Sequence, residues 1–180
     1  SPKAWNLWER PKGKYKDYEL IYSKDGSLVA YQYPQIWIDF KNLYDKKINY
    51  RENLIKAIYS NREFCIDNSK DFKGYTDNIW GVTTSMGPLG YQSYGSSPGA
   101  AVYDGTVAPV AVVASLPFAP EIAMPALKFM YDNYGNKIYG FYGFKDAFNL
   151  EKKWFFENYI GINQGIILLM LENYSNQFVW

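Results

Sequence analysis

The acidic side chains of this chain, 18 Asp and Glu in all, often stand in loops built from Gly, Pro and aromatic residues. The densest run goes from Trp80-Gly81 through Ser85-Met86-Gly87-Pro88-Leu89-Gly90-Tyr91 to Tyr94-Gly95. Asp104-Gly105-Thr106 and Pro117-Phe118-Ala119-Pro120-Glu121 follow, then Gly143-Phe144-Lys145-Asp146-Ala147-Phe148-Asn149 and Gly161-Ile162-Asn163-Gln164-Gly165. Each reads as a loop ending near a helix start. Carboxylates and ring faces on the same loops suit a sugar. Rings stack on the apolar faces of pyranoses, and carboxyl groups protonate or deprotonate a glycosidic bond.

Asp146 leads the candidates. Rings flank it, so desolvation would raise its pKa and prepare a general acid; its alternative role is to cap a following turn. Glu121 is the second candidate, or else a first-turn residue matched to a helix dipole. Asp104, ahead of Gly105-Thr106, is a candidate sugar ligand or an N-cap. Asp39, in Trp37-Ile38-Asp39-Phe40, would face a cleft or pair with Lys41 or Arg51. Glu172 would be a buried partner for a loop, or the point where its helix reaches solvent. Trp80, Tyr91 and Tyr94 are expected to line a groove with Trp37 and Gln32.

Composition narrows the chemistry further. The chain has 180 residues and no histidine. That removes a Ser-His-Asp triad, a Cys-His pair and ordinary zinc sites, and leaves Asp, Glu, Tyr or Lys for proton transfer. No metal or cofactor is expected. Asp67, Ser69 and Asp71 resemble a calcium loop only loosely, because the glycine and final Glu are misplaced. Cys65 is the single cysteine and reads as a buried, inert thiol. A net charge of +1 gives no field for nucleic acid. The longest purely apolar run, Ile166 to Leu171, is too short to span a bilayer. Asn173-Tyr174-Ser175 is a formal glycosylation sequon. No signal peptide is visible, and the start at Ser1 reads as a cut.

These side chains need elements to position them. The composition fits one domain, residues 1–180, with no repeat and no linker. Ser1 to Tyr15 has two Trp and no clean period. Leu20-Ile21-Tyr22 and Leu28-Val29-Ala30 read as strands of a small hairpin turning at Asp25-Gly26. Pro34 opens a short helix with Ile36, Trp37 and Phe40. Tyr50 to Ile66 is amphipathic, with Leu54, Ala57, Ile58, Asn61 and Cys65 on one face. Thr106–Leu116 and Gln164–Tyr174 are apolar all round and read as inner helices of a layered assembly. A helix from Pro120 is expected to run to about Tyr134 and stop at Gly135, with Pro125 kinking it or delaying its start.

Taken together, these segments resemble the bacterial glucoamylase-like (glycoamylase) domain family, which includes endo-β-1,2-glucanases and the central domain of cyclic β-1,2-glucan synthases. The resemblance rests on Tyr33 to Phe40, Asn61-Arg62-Glu63-Phe64-Cys65-Ile66-Asp67-Asn68, Trp80-Gly81-Val82-Thr83, Gly90-Tyr91, Tyr94-Gly95, and Asp104 to Pro109. It continues through Ser115 to Glu121, Tyr142 to Asn149, and Leu168 to Tyr174. It implies a mainly α fold, the C-terminal half of an (α/α)6 toroid with a small β-hairpin. It also implies an oligo- or polysaccharide substrate such as β-1,2-glucan, cut by carboxylate acid/base chemistry in a periplasmic or secreted protein. The chain departs from the family at three positions: Tyr31 replaces a usual His, and Met86 and Asn163 each replace a usual Asp. Those swaps keep a non-catalytic sugar-binding module in view. The all-apolar helices keep a half-domain that self-associates, or completes its ring with an N-terminal half, in view too.

Overall fold

The structure, a computed structural model, describes residues 3, 7, 9–45, 48–99 and 101–180. Trp5 and Trp8 of the Trp-bearing N-terminal stretch lie outside the described residues. Helices outweigh strands. They are α1 (Leu28–Gln32), α2 (Pro34–Trp37), α3 (Tyr50–Asp67), α4 (Pro109–Val113), α5 (Pro120–Ile138) and α6 (Gly161–Asn176). Nine short strands run β1 (Lys12–Tyr15), β2 (Tyr18–Ile21), β3 (Ser85–Gly87), β4 (Gly90–Gln92), β5 (Thr106–Val107), β6 (Tyr139–Gly140), β7 (Gly143–Phe144), β8 (Phe148–Asn149) and β9 (Trp154–Phe155). They form three antiparallel hairpins, β1-β2, β3-β4 and β6-β7, and one three-stranded sheet, β5-β8-β9.

Helix α3 forms where the sequence places it. The Asn49 carboxamide caps its start, accepting from the backbone N–H groups of Arg51 at 3.0 Å and Glu52 at 3.1 Å. Its buried face carries Leu54, Ala57, Ile58, Phe64 and Cys65. Asn61 on that face locks the Trp80 segment. It donates to the Val82 carbonyl at 2.9 Å and accepts from the N–H groups of Gly81 and Val82. Asn49→Ala should cost about 1 kcal/mol, read as a lower unfolding midpoint in denaturant; an unchanged midpoint would mean that packing alone fixes this end.

The expected hairpin at Asp25-Gly26 is corrected. The hairpin is β1-β2, one element earlier, turning at Lys16-Asp17. Lys16 takes a positive φ there and holds the turn to α3 through Glu63 at 2.8 Å and Asp67 at 2.7 Å. Residues 28–30, read as a strand, belong to α1. The first turn of α1 is satisfied from a distance, since the Val29 N–H donates to the Thr83 hydroxyl at 2.9 Å. Gly26 adopts φ +67° and packs on the backbone of Ser96, where a Cβ would collide.

The bounds of three helices also move. Thr106 and Val107 pair with Asn149 and Phe148 as a strand, so the helix expected over 106–116 shortens to α4. Helix α5 passes through Gly135 and ends at the buried Ile138, which leads directly into β6. Pro120 begins it, as expected. Helix α2 ends at Trp37, short of Phe40.

Every residue of α4 is buried, and α1, α5 and α6 pack around it. Its lack of a polar face therefore fits an inner helix. Helix α6 differs: Ile166, Ile167 and Met170 are buried, whereas Ile162, Leu168 and Leu171 are exposed.

Candidate substrate site

A cleft of about 340 Å3 opens between the loop at 23–30, Thr84, the β3-β4 hairpin and the start of α6. Tyr33, Thr84, Tyr91 and Asn163 line it, with Ser27 and Asp25. The hairpin sets Tyr91. Gly90 takes φ +100° at its turn, and Tyr91 stands opposite Met86 with its ring 57% exposed. On the facing wall, Asn163 belongs to the first turn of α6.

Asp146 joins those two walls from behind. It is buried, and both its oxygens are occupied. One accepts from the Met86 N–H at 2.8 Å, the other from the Asn163 amide at 2.6 Å. Burial pushes its carboxyl above the ordinary Asp value, and the two donors offset this only in part. The expected perturbation is present, but its geometry is that of a brace: the carboxylate orients Asn163 and fixes the strand opposite Tyr91.

The other sequence-nominated residues lie elsewhere. Glu121 stands at the exposed start of α5, where the Tyr59 hydroxyl donates to it. That bond and burial push the Tyr59 hydroxyl up to about 12. No hydrogen bond links Glu121 to the cleft residues. Asp104 is a loop hub. It accepts from the Thr106 N–H and hydroxyl, from Asn149, from the Tyr94 hydroxyl and from Lys152. Burial raises its carboxyl, but the Lys152 and Thr106 bonds outweigh this and hold it below the ordinary value. Tyr94 is correspondingly buried, its ring against Gly87.

Trp80 has no exposed surface and packs in the core, so it offers no face to a ligand in this form. Gln32 is likewise fully buried; its amide ties α1 to α4 through the Ala111 carbonyl at 2.8 Å and the Ser115 hydroxyl at 3.0 Å. Trp37 is half exposed but is not part of the cleft lining. Asp39 lines a different, smaller cleft with Lys41 and Arg51 and is paired there: it accepts from the Lys41 N–H at 2.9 Å and lies 3.9 Å from Arg51. Glu172 bonds to Asn176 near the end of α6. The structure thus gathers Tyr91, Asn163 and, behind them, Asp146. Sequence reasoning did not nominate Asp25, Ser27, Tyr33 or Thr84, whose only local signal was membership of turn and pre-proline segments. Among the described residues, no group of three or more Cys, Asp or Glu is placed to hold a metal ion. No helix among them is long and apolar enough to cross a membrane.

Comparison with known proteins gives this arrangement its context. The model of the glycoamylase family, described as "Putative glucoamylase", matches residues 1–180. An exo β-1,2-glucooligosaccharide sophorohydrolase acting at the non-reducing end, from Parabacteroides distasonis, is 36% identical over 158 residues, 88% of this chain. The fold superposes on an endo-β-1,2-glucanase from Chitinophaga pinensis, solved with sophorotriose and glucose, with a TM-score of 0.89 and 31% identity over 98% of this chain. A β-1,2-glucanase structure from Parabacteroides distasonis gives 0.85 and 35% over 93%. The chain spans only 22% of the sophorohydrolase, 43% of the Chitinophaga chain and 24% of the other glucanase. Similarity covering the full 180 residues, with sequence and fold in agreement, makes this chain a member of the glycoamylase family.

Proposed function

We propose that this chain forms the C-terminal half of an (α/α)6 toroid that binds β-glucan, β-1,2-linked glucan in the first place, and contributes one wall of a hydrolase site. The observation that carries the reading is the exposed Tyr91 in the lining of a cleft that Tyr33 and Thr84 also line, with the buried Ser27 and Asn163 held beneath by Thr84 and Asp146. An open ring face with several polar groups around it suits a pyranose. The glucan-acting relatives favour glucose units as the ligand.

Asp146 enters as the residue that positions Asn163 and the Tyr91 hairpin, while Asp25 is the carboxylate that lines the cleft among the described residues. Glycoside hydrolysis uses two carboxyl groups about 5–9.5 Å apart across the bond. A complete pair therefore requires a group from outside this cleft, and binding without cleavage is the activity assigned to this chain alone. A glucan substrate outside the cytoplasm goes with a periplasmic or secreted protein.

Tyr91→Ala should weaken binding of sophorotriose about fivefold, or about 1 kcal/mol, with the unfolding midpoint unchanged. Calorimetric titration checks it. Unaltered affinity in this variant would remove the cleft from the sugar path.

The second reading, a half-domain whose task is to complete a ring, is favoured by a separate observation. Leu168 and Leu171, one turn apart, leave apolar surface on α6 that no other described residue covers.

A further inference from the structure

We infer that a second cleft, lined by Tyr22, Tyr31, Phe40 and Tyr50 with Ser23 and Gln35, is a further sugar subsite that takes one pyranose ring. It adjoins the first cleft, since Ser23 and Ala30 line both. Its volume is about 230 Å3. That is below the roughly 300–1,000 Å3 of pockets for larger ligands, and suits a single ring.

Two polar atoms point to the ligand's chemistry. Gln35 is 3% exposed, and its amide nitrogen donates to the Tyr50 carbonyl at 2.8 Å. This bond fixes which end of the carboxamide is oxygen. That oxygen has no hydrogen-bond partner, and neither has the Ser23 hydroxyl. Buried polar atoms are almost always satisfied, so a buried acceptor beside an unpartnered hydroxyl marks a place for a group that donates. Two other polar side chains of the lining are engaged. Asn53 exchanges two hydrogen bonds with the Ile21 backbone, and the Tyr31 hydroxyl accepts from the Ser23 N–H at 2.8 Å.

The rest of the lining is aromatic and aliphatic. No charged side chain is part of it, which disfavours an ionic ligand. A neutral molecule with apolar faces and several hydroxyl donors fits all three features, and a sugar ring is such a molecule. The unpartnered oxygens lie below the cleft surface, so the aromatic walls must give slightly as the hydroxyls reach them. With Ser23 and Ala30 on the shared wall, the two clefts would hold neighbouring units of one oligosaccharide.

The inference rests on the first cleft being a sugar site only for the choice of glucan as probe. The two side-chain amides report the two clefts separately. Nuclear magnetic resonance of the full chain, titrated with glucose and with sophorotriose, should show saturable shifts at the Gln35 amide as well as at Asn163. In Tyr91→Ala the Gln35 shifts should persist. In Gln35→Met the Asn163 amide should still respond, with affinity for sophorotriose lowered about tenfold for loss of a buried polar contact.

Ser23→Ala, which keeps the backbone N–H that holds Tyr31, should lower it about threefold, and remains informative if Gln35→Met does not fold. Gln35 signals that stay still while Asn163 moves overturn the second subsite and leave the first reading standing. Stillness at both amides overturns both. Gln35 shifts that vanish in Tyr91→Ala reduce the second cleft to a relay of the first, and overturn it as a subsite.

Discussion

Asp146→Ala is expected to lower the unfolding free energy by about 3 kcal/mol or more and to weaken glucan binding at least tenfold, whereas Asp146→Asn should stay within about 1 kcal/mol of the parent. The alanine leaves the Met86 N–H and the Asn163 amide without their acceptor in a largely buried place, and each loss costs about 1–3 kcal/mol. It also releases both walls of the cleft, because β3 carries the strand opposite Tyr91 and Asn163 begins α6. The asparagine keeps an oxygen for Met86. Its own amide meets Asn163 once that carboxamide turns over to accept.

Acid dependence separates the parent from Asp146→Asn. Burial holds the Asp146 carboxyl above its ordinary value in the folded chain. At low pH both folded and unfolded forms are protonated. As pH rises past the ordinary Asp value, the unfolded chain ionises first, so stability falls until the raised folded value is passed. Asp146→Asn should erase that decline, and denaturant unfolding at a series of pH values measures it. A parent-like slope in Asp146→Asn, or a parent-like midpoint in Asp146→Ala, would show that Asp146 is not the brace its contacts describe.

What the sequence revealed and what it hid divide along the range of the stabilising contacts. Helix α3 was legible because its apolar face repeats at helical spacing. Pro120 marked the start of α5 for a similarly local reason. Helix α1 was not legible. The preceding Asp25-Gly26 pair reads as a hairpin turn, and the hydroxyl that completes the first turn of α1 is on Thr83, 54 positions after Val29. The β1-β2 turn lacks a glycine and depends on Lys16 reaching Glu63 and Asp67 on α3.

The site shows the same division. Asp146 was conspicuous among its rings, and its perturbed carboxyl followed from burial. Its role did not, because its partners lie 60 and 17 residues away and turn it inward. Trp80 and Tyr94 have the right chemistry for stacking, yet the segment that carries them is drawn into the core by Asn61 and by the Asp104 hub. Of the rings nominated for the groove, Tyr91 alone lines the cleft, since the Gly90 turn aims it outward.

Alone, the chain is expected to leave β-1,2-glucan uncut. Hydrolysis should rise from background by at least about a thousandfold when the rest of a family-length domain is supplied, whether as a longer protein or as a separate chain. The size of that step follows from the chemistry. A positioned acid or base contributes about 10²–10⁴ in rate, and this cleft is lined by a single carboxylate among its described residues. The surface for assembly is on α6. Leu168 and Leu171 are 60% and 39% exposed, on a helix whose other side is seated in the core. Covering such side chains gains about 25 cal/mol per Å2 of apolar area, so the isolated chain should self-associate or take up the rest of the proposed toroid. Leu168→Glu puts a charge into that strip without touching the core, and should abolish both the association and the gain in hydrolysis while Tyr91-dependent sugar binding persists. Sedimentation and assays of released sugar test the two effects together. A dilute monomer that binds no hydrophobic dye, or a rate indifferent to Leu168→Glu, would mean that the α6 strip is ordinary surface and that this chain works without a second half.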